Sequence, residues 1–230
     1  MRNHKIFASC ALAMALAALP AYADVKAGVE AWGQGDFDTA LANWRLPAQS
    51  GDADAQFNLG QAYRFGRGVP MDMKAAEDWF RRATLLGHVR AEDNLGLILF
   101  QRGAYEEAFP LLEKSAKRGD PRAQYVLGTA LFNGDLIAKD WVRAYALILR
   151  ASASGLDRAT QHLSEMQKFI PADTQAEGQR LADRMAAHMQ ASVGQVVQAP
   201  ALPPATPPTP PNPSLLPAPT ESGRTCGSCE

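Results

Sequence analysis

The residues able to do chemistry in this chain are few and scattered. His88, His162 and His188 stand far apart, none at metal-ligand spacing with an acid, and no His-Glu-x-x-His run occurs. There is no Gly-x-x-x-x-Gly-Lys phosphate loop and no Gly-x-Ser-x-Gly elbow. Gly66-Arg67-Gly68 reads as a loop between two helices of one unit, and Ser154-Gly155 as a helix end. Ser115 is followed by Lys117 and not by a lysine three residues on, so the serine pattern of penicillin-binding enzymes fails. Cys226-Gly227-Ser228-Cys229 remains as a close pair of reactive groups. Four readings of it stay open. They are a disulfide within the peptide, a link between chains, half of a zinc site, and a catalytic dithiol without a fold around it to lower a thiol pKa. The expectation is a protein without catalytic residues, metal or cofactor.

Charge narrows the partner class. The 230 residues carry 23 Lys and Arg against 24 Asp and Glu, a formal net charge of −1. Such a balance offers no positive field for nucleic acid or an anionic membrane surface. At 47 % apolar residues the chain has enough material for a core.

The first segment reads as an address. Arg2 and Lys5 precede an apolar run from Ile6 to Leu19, and Ala21-Tyr22-Ala23 follows. A positive start, a short apolar stretch and an A-x-A site make residues 1–23 a cleavable secretory signal peptide. The run is shorter than the roughly 20 residues that span a bilayer, so the mature chain is expected to lack a transmembrane segment. Cleavage also removes Cys10, and the folded part then enters an oxidising compartment without cysteine, which suits the periplasm of a Gram-negative bacterium.

Internal repetition governs the rest. Gly28, Gly60, Gly96 and Gly128 keep step with Gly51, Gly87, Gly119 and Gly155, and with Ala40, Ala76, Ala108 and Ala144. Each of these alanines precedes its glycine by the same interval. Residues 24–157 are therefore four copies of one unit. Each copy predicts two helices. In the second copy, the first helix runs to Gly66, and the next starts near the N-cap Asp72 and stops at Gly87. A mid-helix glycine costs about 1 kcal/mol against alanine, so Gly60, Gly96 and Gly128 imply that a neighbouring helix must come very close. Pro47 and Pro110 fall inside second helices and predict local kinks. Leu163, Met166 and Phe169, then a helix from Pro171 with Leu181, Met185 and Met189, read as capping helices over residues 158–192. Ten of the 16 prolines lie between Pro200 and Pro219, which makes residues 193–230 a disordered Pro-rich tail.

The run Ala55, Leu59, Gly60, Tyr63, Gly66, Gly68, Val69, Asp72, Ala76, Trp79, Phe80, Ala83, Gly87 resembles the Sel-one-like repeats, short-unit relatives of the tetratricopeptide repeats. Leu127, Gly128, Gly134, Asp140, Ala144 and Tyr145 keep the pattern in the fourth unit, with Leu136 where that family prefers glycine. The resemblance implies an all-α fold: a short right-handed α/α solenoid of four helix-pair repeats, a C-terminal capping helix pair, then the tail. It also implies an adaptor or scaffold with a protein or peptide partner in a concave groove lined by the first helices. Mapped by repeat phase, that groove takes Phe57, Gln61 and Arg64 from the second unit. Asp93, Leu97 and Phe100 come from the third, and Tyr125, Thr129 and Phe132 from the fourth. A cell-envelope enzyme of the β-lactamase-like repeat type and an envelope structural protein with its tail as a spacer remain alternatives. Sequencing the N-terminus of the exported protein should return Asp24 first; a membrane-bound chain that retains Met1 would overturn the secretory reading.

Overall fold

The computed structural model describes residues 24–198, with side chains through Ala191. Residues 1–23, read from the sequence as a signal peptide, the proline-rich segment, Cys226 and Cys229 lie outside the described residues. Within them the chain forms ten helices and no strand. The four repeats are the pairs α1 (Val25–Gly33) and α2 (Phe37–Gln49), α3 (Ala53–Phe65) and α4 (Met73–Leu85), α5 (Val89–Arg102) and α6 (Tyr105–Arg118), and α7 (Pro121–Asn133) and α8 (Trp141–Ala153). α9 (Asp157–Met166) and α10 (Ala172–Gln198) follow. α10 runs on past residue 192, where the sequence reading ended the cap.

Local chemistry starts and stops these helices. The carboxylates of Asp24, Asp36, Asp52, Asp72, Asp120 and Asp140 each accept a hydrogen bond from a first-turn N–H. His88 does the same for α5 through its Nδ1, 3.0 Å from the Ala91 N–H. That histidine occupies the slot of Asp52 and Asp120 and works as a cap. At the other end, Gly66 takes φ 64°, a left-handed turn that closes α3. Pro47 and Pro110 cost one backbone bond each, yet α2 and α6 stay helical through them.

Two layers result, first helices in one and second helices in the other, with the core between. Ala55, Ala91, Ala123 and Ala159 are fully buried in the first layer, and Ala40, Ala76, Ala108 and Ala144 in the second. Small residues are needed because the paired helices nearly touch. A Cβ on Gly60 would lie 2.6 Å from the Phe80 ring, one on Gly128 2.9 Å from Ile148, and one on Gly96 3.1 Å from Leu111. In the first repeat, Gly28 faces Trp44, whose indole donates to the Val25 carbonyl. Leu95, Leu99, Leu112, Leu127 and Ile148 fill the space between layers, each side chain contributing about 1.5–3 kcal/mol on burial.

Neighbouring repeats are tied by recurring polar contacts. Gln56 donates to the Ala48 carbonyl and Gln124 to the Ala116 carbonyl, both at 3.0 Å, in equivalent positions. On the second-helix layer Arg81 pairs with Glu107, and one repeat later Glu113 pairs with Arg143, the same two slots with the charges exchanged. Exposed pairs of this kind contribute about 0–1 kcal/mol, so they set register more than stability.

The C-terminal helices divide the closing of the stack. α9 continues the first-helix layer beyond α8, with Ala159 in the repeat slot. α10 returns along the second-helix layer, placing Gly178 against Tyr145 and Met189 against Gly119. Periodicity pointed to Phe169 as apolar packing, but α9 ends at Met166 and the turn exposes Phe169 while burying Ile170.

Adding one methyl group should therefore have opposite signs at two glycines. Gly60→Ala should destabilise by about 1–3 kcal/mol through overpacking against Phe80. Gly33→Ala, with nothing near its added carbon, should be neutral or stabilising by up to about 1 kcal/mol. Urea unfolding followed by circular dichroism reads both; a loss of equal size at the two sites would contradict the packing argument.

Candidate first-helix face

Counted from the buried alanine that marks each first helix, the predicted site residues fall two, six and nine positions on. At the second position the expected open row breaks down. Phe57 is 5 % exposed and belongs to the core, stacked on His88 at 4.5 Å and tilted against Phe80 at 5.8 Å. Asp93 is held by Arg118 from α6, which also pairs with Glu92. Tyr125 is half-buried, edge-on to His162.

The sixth and ninth positions stay half-exposed along successive helices. Gln61, Leu97 and Thr129 form one line, and Arg64, Phe100 and Phe132 the next. Thr129 donates to the Tyr125 carbonyl at 2.8 Å and touches His162 Nδ1 at 3.2 Å. Phe100 packs edge-on to Tyr105 and Phe109, and Phe132 stacks on Trp141, whose indole donates to the Phe132 carbonyl. Phe132 also meets the His162 ring edge-on at 5.9 Å, and both phenylalanines stay partly exposed.

The charged groups are arranged differently from the sequence expectation of one arginine beside one aspartate. Arg64 and Arg122 both donate to the same atom, Asn94 Oδ1. Arg122 also reaches Asp120 Oδ2 at 2.7 Å. Burial opposes ionisation of Asp120, but Arg122 and first-turn N–H groups win and hold it below the usual carboxylate range. Burial, then the Arg122 charge, lowers the pKa of Arg64, which has no carboxylate of its own.

Sequence reasoning passed over Arg90, Arg122 and Arg158. Each stands immediately before the marker alanine, as Arg90-Ala91, Arg122-Ala123 and Arg158-Ala159. That register was the available signal. Arg90 covers the Phe57 ring at 4.8 Å and Arg158 covers Tyr125 at 4.9 Å, so each leans back over the preceding first helix. Between the first and second repeats, two adjoining cavities of about 500 and 250 Å³ share Val29, Phe57, Asn58 and Arg90. Arg67, in the Gly66–Gly68 loop, sits 5.6 Å from each of the Trp32, Phe37 and Phe65 rings. That loop clasps two repeats together. Among the described residues no three His, Cys, Asp or Glu side chains gather as a metal site, and no helix is long and apolar enough to cross a membrane.

Comparison with known proteins matches part of the chain to a repeat family. The Sel1 repeat model matches residues 53–88, 89–120 and 121–156, which are the second, third and fourth helix pairs. An uncharacterised protein of Neisseria meningitidis is 31 % identical over 99 residues, 43 % of this chain and 21 % of that protein. An F-box protein of Arabidopsis thaliana is 36 % identical over 75 residues, 33 % of this chain and 21 % of that one. The chain thus spans about a fifth of the length of these curated relatives. The crystal structure of a Sel1 repeat protein from Oxalobacter formigenes is 33 % identical, covering 54 % of this chain and 97 % of that one, with a TM-score of 0.45.

One titration follows from the packing at the far end of this face. Burial lowers the pKa of His162 from its usual 6.5, partly offset by Glu165. Between the lowered value and 6.5 the unfolded chain binds a proton that the folded chain refuses. Stability therefore falls as pH drops through that window. The urea midpoint should fall less between pH 7.5 and 5.5 in His162→Gln than in the wild type; identical pH slopes would refute the assignment.

Proposed function

Because the chain belongs to the Sel1 repeat family, whose helical scaffold typically serves interaction and not catalysis, we propose that it is an exported protein–protein interaction module. It works as an adaptor that holds an extended peptide, or an extended part of a protein, against the first helices. The observation that carries this reading is the half-exposed double row on α3, α5 and α7: Gln61, Leu97 and Thr129 beside Arg64, Phe100 and Phe132. Partly exposed aromatic rings, with arginines among them, are the side chains that dominate binding energy at protein interfaces. An extended ligand running across the helices meets one such pair per repeat.

Export is supported by the basic start, the apolar run and the Ala21-Tyr22-Ala23 site, and by the absence of cysteine from residues 24–198. The site of action is then the periplasm, and the proline-rich segment serves as a spacer beyond the repeats.

A photo-crosslinking amino acid in the full chain tests the face directly. Placed at Gln61 or Thr129, it should form adducts with a bound partner in cells of the source organism. Placed at Lys74 or Lys114 on the second helices, it should form none. Adducts only from the second-helix positions, or equally from both faces, would sink the proposal.

A further inference from the structure

Building on the peptide-binding reading, we propose that the ligand segment is acidic, carrying a carboxylate about every third residue. Arg64, Arg90, Arg122 and Arg158 would read those carboxylates.

The charges on this face do not cancel. Asp93 is taken by Arg118 and Asp120 by Arg122, while Asp54 accepts from His88 Nε2 at 3.2 Å, on a ring whose Nδ1 is itself an acceptor. Among the described residues Arg64, Arg90 and Arg158 have no ion-pair partner. Arg64 is the costliest of these. It is half-buried, and its guanidinium meets that of Arg122 on one acceptor, Asn94 Oδ1, with a single carboxylate, Asp120, for the two cations. A ligand carboxylate there would supply the missing charge in a place where solvent screens it poorly.

Arg90 and Arg158 are exposed but not loose. Their guanidinium carbons lie 4.8 and 4.9 Å from the centres of the Phe57 and Tyr125 rings, a cation–π contact that holds each cation in place. A guanidinium held by such a contact has less rotamer freedom to lose when its donors meet a carboxylate. The repeat sets the spacing. Arg90, Arg122 and Arg158 occupy one slot in three successive first helices. Packed helices lie about 8–10 Å apart, and an extended chain advances about 3.3 Å per residue, so one acid per about three residues keeps step with the arginines.

A peptide fits better than a nucleic acid. The chain as a whole has a net charge of −1, giving no long-range field for a polyanion. Phe57 and Tyr125, the rings beside this arginine ladder, are already covered by Arg90 and Arg158.

The test uses fluorescein-labelled dodecapeptides (Glu-Leu-Ser)4, (Gln-Leu-Ser)4 and (Lys-Leu-Ser)4, titrated with the full mature chain at low salt and followed by fluorescence anisotropy. The glutamate peptide should bind at least about ten-fold more tightly than the glutamine peptide, and salt should erode that margin. Arg90→Glu combined with Arg158→Glu changes two exposed residues. It should keep the wild-type melting curve, lose at least about ten-fold for the glutamate peptide and gain affinity for the lysine peptide. Equal binding of the glutamate and glutamine peptides, or an undiminished glutamate signal in the double variant, overturns the acidic proposal. Continued crosslinking from Gln61 in that event leaves the peptide-binding reading standing, whereas loss of both signals removes it as well. Tighter binding of a 20-base-pair DNA duplex than of the glutamate peptide would overturn the peptide assignment in favour of nucleic acid.

Discussion

Everything in this fold depends on how closely the two helices of a repeat approach each other. The limit is set where Gly60 meets Phe80 and Gly128 meets Ile148, with no room for a side chain on the glycine, and where Gly96 meets Leu111, with little. Close packing over these points brings the marker alanines to full burial and lets a short helix pair, unstable alone, share a continuous core with its neighbours. The glycine penalty in helix propensity, about 1 kcal/mol each, is small beside the burial it permits.

The ends of the stack show the same constraint from its absence. α9 is in effect a fifth first helix, with Ala159 in the buried slot, but Ser164 stands where the others carry glycine and is exposed. No second helix of its own comes down on that point, so none requires a glycine. The apolar flank left over is covered by α10, which brings its own glycine, Gly178, to the place where it crosses Tyr145. Gly28, Gly60, Gly96, Gly128 and Gly178 thus stand where another helix comes close, and Ser164 stands where none does.

Repetition also shapes the electrostatics. The slot after the marker alanine faces the preceding repeat where an amide fills it, as Gln56 and Gln124 donating to the Ala48 and Ala116 carbonyls, whereas Glu92 in the same slot turns to Arg118 within its own repeat. The arginines before Ala91, Ala123 and Ala159 are a ladder on the first-helix face. Two of them lie over rings, while the third shares Asn94 with Arg64 because an aspartate, Asp93, replaces the ring in that repeat. One substitution in the second slot therefore redirects an arginine and concentrates positive charge in the middle of the face.

Periodicity alone determined most of the architecture. The repeat boundaries, the aspartate caps, the close approach at the mid-helix glycines and the family resemblance were legible because each is a local rule repeated in register. The candidate face was legible only as a set of slots. Gln61, Leu97, Phe100, Thr129 and Phe132 could be placed on first helices from their spacing, since helical phase decides which residues share a side. Whether a slot is open or filled depends on what the neighbouring repeat sends into it, and spacing carries no information on that. Only the tertiary structure buried Phe57 under His88 and Arg90, matched Asp93 to Arg118, joined Arg64 to Arg122 through Asn94, and exposed Phe169 in favour of Ile170. These are contacts between side chains distant in sequence, or in a turn outside the repeat. Their outcome is set by the three-dimensional approach of the helices and not by the period that formed them.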